Sequence, residues 1–333
     1  MNLYILGNGF DLAHEIPCSY TDFNCYVCRN HHKKHELYGE MYNWKNTNWL
    51  WSDFENRLGK IDIVNCTRLH VARIIKTLTE KHQGKERERL INNFMLNNGL
   101  DEDYFNIYEL FEEWVKNTLY PIKKTEKIKP IYQFNDDDIF ISFNYTTTLE
   151  ALYGIHKKNI CYIHSCVKDE KDLPRLEVGH GMERYEIKEH IENNNNREKV
   201  QKIVENYLVE TKQTVDFDVT DDIFEAFIDF AYGFKKDTLS NINNNQDFFN
   251  CINRENLNKI FILGHSLAPV DLPYFIEIAN REQAKKVPWF VSYYKDIAQK
   301  KKDLDTLFSK VNKDVDAHID PMLITLDQLR LVQ

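Results

Sequence analysis

Short apolar runs recur along this chain, and most stop on a residue that makes a turn. They are Leu3 to Leu6 before Gly7, Ile139 to Phe143 before Asn144, Ile160 to Ile163 before His164, Leu176 to Val178 before Gly179, and Ile260 to Leu263 before Gly264. Trp289 to Tyr293 and Met322 to Leu326 follow near the end. Short apolar runs bounded by turn residues, rather than alternating patterns, read as strands buried on both faces. That requires a parallel sheet covered by helices. Helical stripes lie between the runs: Phe54, Leu58 and Ile61; Phe224, Phe227, Phe230, Ala231 and Phe234; Leu304, Leu307, Phe308 and Val311. Each reads as an ordinary core face. Strands alternating with helices predict an α/β fold, a Rossmann-like doubly wound and mostly parallel sheet. Residues 24–129 and 184–258 lack strand signals. We read them as two helical insertions in one domain covering 1–333.

Composition narrows the partners. With 43 Lys+Arg against 52 Asp+Glu in 333 residues, the net charge is −9. That argues against a general nucleic-acid binder and leaves room for a small anionic ligand. No apolar run approaches the roughly 18 residues of a membrane helix, so no membrane partner is expected. The opening reads directly as a strand, not as a signal peptide, and the seven cysteines are scattered. We therefore expect a reduced, cytoplasmic protein. Cys25, Cys28, His32 and His35 would share one face if carried on a straight helix. Such a face poorly supplies four tetrahedral ligands, so no metal is expected.

The chemistry-bearing signal is Gly7-Asn8-Gly9-Phe10-Asp11, directly after the first strand. In doubly wound folds the ligand lies at the carboxyl ends of the strands. A Gly-x-Gly turn lets backbone N–H groups from Gly7 to Phe10 approach a phosphate. The third glycine of the dinucleotide fingerprint is replaced by Leu12, and a tight structural turn is the alternative reading. Three further strand ends carry polar groups: Asn144, His164 and the turn Gly264-His265-Ser266-Leu267. Gly179-His180-Gly181 follows the remaining run.

These blocks resemble sirtuins. Gly7, Gly9, Ile16 and Pro17 keep the spacing of the sirtuin glycine turn and its following Ile-Pro. Asn144-Tyr145-Thr146 is similar to the Asn-x-Asp motif, with Thr146 where the acid would stand. His164-Ser165 resembles the His-Gly pair, and Gly264 to Leu267 the Gly-Thr-Ser-Leu turn. A closer resemblance is to the AbiH-like family of bacterial abortive-infection proteins. Its segments here are Leu3 to Phe23, Trp51 to Glu55, Ser142 to Glu150, Ile163-His164, Val178 to Gly181 and Gly264 to Phe275, including the block Gly-His-Ser-Leu-x-x-x-Asp ending at Asp271. Ser165 departs from the usual Gly. The AbiH-like resemblance implies a role against phage, with a phage trigger or partner protein. The sirtuin-like resemblance implies NAD as substrate or ligand.

Cleavage of the nicotinamide–ribose bond would use Asn144 to hold ribose or water, His164 as base, and Asp11 against the sugar cation. Gly7, Asn8, Gly9, Phe10, Gly264, His265, Ser266 and Asp271 would bind the dinucleotide. The plainer alternatives are a helix cap for Asn144, a helix N-terminal acid for Asp11 and a backbone hydrogen bond for His164. A non-catalytic nucleotide-sensing module is the rival function, and a homo-oligomeric switch is compatible with either. A nucleophile elbow at Ser266 would need a later histidine, and only His318 follows.

Overall fold

The computed structural model describes residues 1–42, 53–80, 107–166 except 121, 123, 124 and 126, 176–214 except 194, 219–311 except 255, and 319–329 except 320, 326 and 327. Trp51, His318 and Leu326 lie outside the described residues. The chain divides into two compact units, one of 1–19, 112–177 and 237–333, the other of 20–111 and 178–236.

The first unit holds a six-stranded sheet: β1 (Asn2–Leu6), β2 (Ile139–Ser142), β3 (Ile160–Tyr162), β4 (Lys259–Leu263), β5 (Trp289–Ser292) and β6 (Met322–Ile324). Every pairing is parallel, and the order is β3-β2-β1-β4-β5-β6. This is the Rossmann order, whose topological switch point lies between β1 and β4. The continuous apolar runs follow from burial on both faces. Leu3 and Ile5 pack with Ile141, Ile262 and Val291 on one side, and Tyr4 and Leu6 with Phe140, Phe261 and Phe290 on the other. In register across the strands, Tyr4 stacks on Phe140 at 5.3 Å and on Phe261 at 4.9 Å, and Phe261 stacks on Phe290 at 5.0 Å. This aromatic ladder favours the observed register, because a one-residue slip would turn each ring to the opposite face.

The second unit is helical among its described residues, apart from one bridge between His180 and Lys235. Its helices include Tyr20–Asn30, His32–Met41, Ile63–Glu80, Asn196–Thr211 and Val219–Tyr232.

Several expectations need correction. Leu176 and Val178 are buried, with the half-buried Glu177 between them, but the segment is not a strand; the Glu177 N–H donates to the His164 carbonyl without a continuing ladder. The Phe54 helix stops at Leu58, with Gly59 as its cap, so Ile61 packs from the following turn. The cysteine–histidine segment is two helices rather than one. His31, at φ −136° and ψ 52°, breaks it between Asn30 and His32.

Candidate functional site

The carboxyl ends of β1 and β4 meet as two interlocked turns. The Gly7 N–H donates to Leu263 O at 2.9 Å, and the Gly9 N–H donates to Gly264 O at 2.8 Å. A Cβ on Gly7 would stand 2.6 Å from the His265 Cα, and one on Gly9 2.7 Å from the Gly264 Cα. Gly264 itself sits at φ +65°, with room for nothing larger, since a Cβ would fall 2.2 Å from the Phe10 nitrogen. The glycines thus let one backbone press against another. The Phe10 N–H turns back to Gly7 O at 2.9 Å. Gly7, Gly9 and Phe10 therefore spend their N–H groups inside the protein, and the expected phosphate cradle loses these three donors. Asn8 is exposed, and its side-chain carbonyl accepts from Cys18.

One turn further, Asp11 is completely buried. The Thr146 hydroxyl donates to Asp11 Oδ2 at 2.5 Å and lies 2.9 Å from the Thr148 hydroxyl. Burial pushes the Asp11 carboxyl up to about 6, opposed chiefly by the hydrogen bond from Thr146 and less by Thr148 and Asn144 nearby. Asn144 follows β2 by two residues, and its N–H donates to the Ser142 hydroxyl at 3.2 Å. It does not cap the next helix, which begins at Thr148 with Thr147 in the cap position. Asp11 Oδ1 and Asn144 Oδ1 are both buried with no hydrogen-bond partner.

The β3 end places His164, 3% exposed, with its Nε2 3.5 Å from Asp271 Oδ1. His265 directs its own Nε2 to Asp271 Oδ2, also at 3.5 Å. Ser165 holds φ +62°, which explains why glycine suits the position after this histidine. The Gly264 N–H donates to the Ser292 hydroxyl at 2.8 Å, and the Lys300 ammonium donates to His265 O and Ser266 O at 2.9 and 3.1 Å. Burial lowers the Lys300 pKa. Ser266 is exposed.

Two groupings therefore emerge in this unit: Asp11 with Asn144 and the two threonines, and His164 with Asp271 and His265. Sequence reasoning missed Thr148, whose type carried no signal. It also missed His14. That ring donates from Nδ1 to Phe10 O at 2.7 Å and receives the Tyr153 hydroxyl at Nε2 at 2.5 Å, so it anchors the helix carrying Asp11. His180 belongs to the other unit. Its Nε2 donates to Ala231 O at 2.8 Å and its Nδ1 accepts the Met182 N–H at 3.0 Å, a structural role. Beside it, Lys236 pairs with Glu55 at 2.7 Å and Glu55 accepts the Gly179 N–H at 3.3 Å, so two of the family-like segments meet there.

Among the described residues no helix is long and apolar enough to cross a membrane. No curated protein and no solved structure gives a significant match to the chain. The family described as bacteriophage abortive infection AbiH matches residues 3–293, nearly the whole length. The chain belongs to this AbiH family, which implies a role in the abortive infection of bacteriophage.

Proposed function

We propose that this abortive-infection protein binds a nicotinamide dinucleotide and hydrolyses its nicotinamide–ribose bond. The observation that carries the reading is the pair of buried, unpartnered acceptors, Asp11 Oδ1 on the helix after β1 and Asn144 Oδ1 just beyond the end of the neighbouring β2. An unpaired buried acceptor costs roughly 1–3 kcal/mol, and a ligand that brings two donors relieves both costs. The hydroxyls of a ribose are such donors, so the acceptor set fits a sugar better than a phosphate.

In this reading Asn144 and Asp11 hold the ribose. The bond from C1′ to the pyridinium nitrogen breaks, and its electron pair leaves with neutral nicotinamide. Water oxygen bonds to C1′, and its proton passes to His164. Asp11, with a pKa of about 6, carries negative charge at neutral pH where the sugar becomes cationic. NADH is then inert, because its ring has no positive charge to lose.

Purified protein incubated with NAD, with and without phage lysate, tests the reading by nicotinamide release. Wild type should release it under at least one condition, and His164→Ala and Asn144→Ala should not. Absence of release under every condition refutes hydrolysis. If the nucleotide still bound, the result would leave a non-catalytic sensor.

A further inference from the structure

We propose that Asp271 is a positioning residue that fixes His164 with its proton on Nε2, so that Nδ1 is the atom that accepts the proton. The catalytic consequence rests on the hydrolase reading, whereas the tautomer does not.

The Leu267 N–H donates to His265 Nδ1 at 2.9 Å, so that nitrogen bears a lone pair. Neutral His265 must therefore carry its proton on Nε2, which faces Asp271 Oδ2 at 3.5 Å. The other carboxylate oxygen faces His164 Nε2 at the same distance. A carboxylate offers only acceptors, so it selects the Nε2–H form of this ring as well. One buried carboxylate thus faces two imidazoles, each at 3.5 Å, and its Oδ1, toward His164, accepts no hydrogen bond, so the preference for Nε2–H on His164 is electrostatic.

Packing holds the geometry. The Phe143 ring meets His164 edge-on at 5.4 Å and His265 at 4.4 Å, while it stacks on Phe275 at 5.6 Å. Tyr145 stacks on His164 at 5.8 Å. Its hydroxyl is tied to Glu177 O at 2.9 Å, so the stacking ring is itself anchored. Asp271 stands at the start of the helix Leu272–Ala279, with its N–H bonded to Ala268 O at 2.9 Å. The Asp271 backbone is therefore held in place, and the two rings are held by aromatic contacts. The orienting acid is familiar from hydrolytic triads, where its amide replacement lowers kcat by about 10⁴ through the wrong tautomer.

The test is a long-range ¹H–¹⁵N spectrum of protein carrying ¹⁵N-labelled histidine, with His164→Gln to assign the His164 signals. In wild type both His164 and His265 should be protonated on Nε2. In Asp271→Asn, His164 should become a mixture of tautomers while His265 stays unchanged, because Leu267 still occupies its Nδ1. A His164 ring protonated on Nδ1 in wild type overturns the proposal, whether or not the variant folds. So does an unchanged His164 spectrum in a folded Asp271→Asn protein. Kinetically, kcat for nicotinamide release should fall about 10²–10⁴-fold in Asp271→Asn with KM altered less than about twofold. Unchanged kcat refutes the catalytic consequence. The expected tautomers without nicotinamide release from any variant would instead sink the hydrolase reading and leave the positioning of His164 intact.

Discussion

Replacing Asp11 with Asn measures how much stability the protein gives up to keep a charge in its site. Asp11 is fully buried, and burial lifts its carboxyl from 3.8 to about 6. Between these values the folded chain binds more protons than the unfolded one, so stability falls as pH rises through that window. The sign is opposite to that of a salt-bridged carboxylate. A displacement of roughly two pH units corresponds to about 3 kcal/mol, a large part of a typical stability of roughly 5–15 kcal/mol. Asn keeps the shape of the side chain and cannot ionise. Relative to wild type, Asp11→Asn should therefore gain about 3 kcal/mol between about pH 4 and about pH 7.5, with most of the change complete near pH 6. Titrating groups common to both proteins cancel in this difference. Urea unfolding at several pH values provides the measurement, with the slopes of the transitions checked for equality. A difference independent of pH, or one that grows in favour of wild type as pH rises, refutes the reasoning. The same variant should lose nicotinamide release, because the sugar cation then meets a neutral amide.

Three further substitutions probe the scaffold. Gly264→Ala places a methyl group 2.2 Å from the Phe10 nitrogen and 2.4 Å from the Gly9 carbonyl carbon, both backbone atoms. Overpacking of that kind, added to the positive φ, should cost about 3 kcal/mol or more in chemical denaturation. Ser165→Gly relieves a serine held at φ +62° and should raise stability by about 1 kcal/mol, seen as a later urea midpoint with an unchanged slope. Lys236→Met strands Glu55 after removing its partner at 2.7 Å and should cost roughly 3–5 kcal/mol. The double variant with Glu55→Gln should recover most of that loss in the same assay.

Burial on both faces made the sheet readable in the sequence. Leu3 to Leu6, Ile139 to Ile141 and Ile260 to Leu263 are apolar at every position because each strand separates two cores. The same logic misled at Leu176 to Val178, where Leu176 and Val178 are buried without strand pairing. Apolar composition reports removal from water, whereas a ladder also needs a neighbouring strand in register. The break at His31 left no trace either. It lies among helix-tolerant residues without Gly or Pro, and only the backbone angles reveal it.

The site was readable at the level of strand ends, since that is where a doubly wound sheet puts its chemistry. Asp11, Asn144 and His164 were singled out in this way. What those residues do depends on partners distant in sequence. The glycines of Gly7-Asn8-Gly9 suggested a phosphate, but a glycine reports only that something comes close to the backbone, and here it is the turn at Gly264. Thr146 looked like a lost acid when compared with the sirtuin motif. Its hydroxyl instead donates to Asp11 at 2.5 Å, so a carboxylate stands beside that position, contributed by the helix after β1. A motif read along one strand counts an acid as missing when a neighbouring element supplies it. The buried carboxylate at Asp11, rather than the residue at Thr146, should therefore control any chemistry on a cationic sugar.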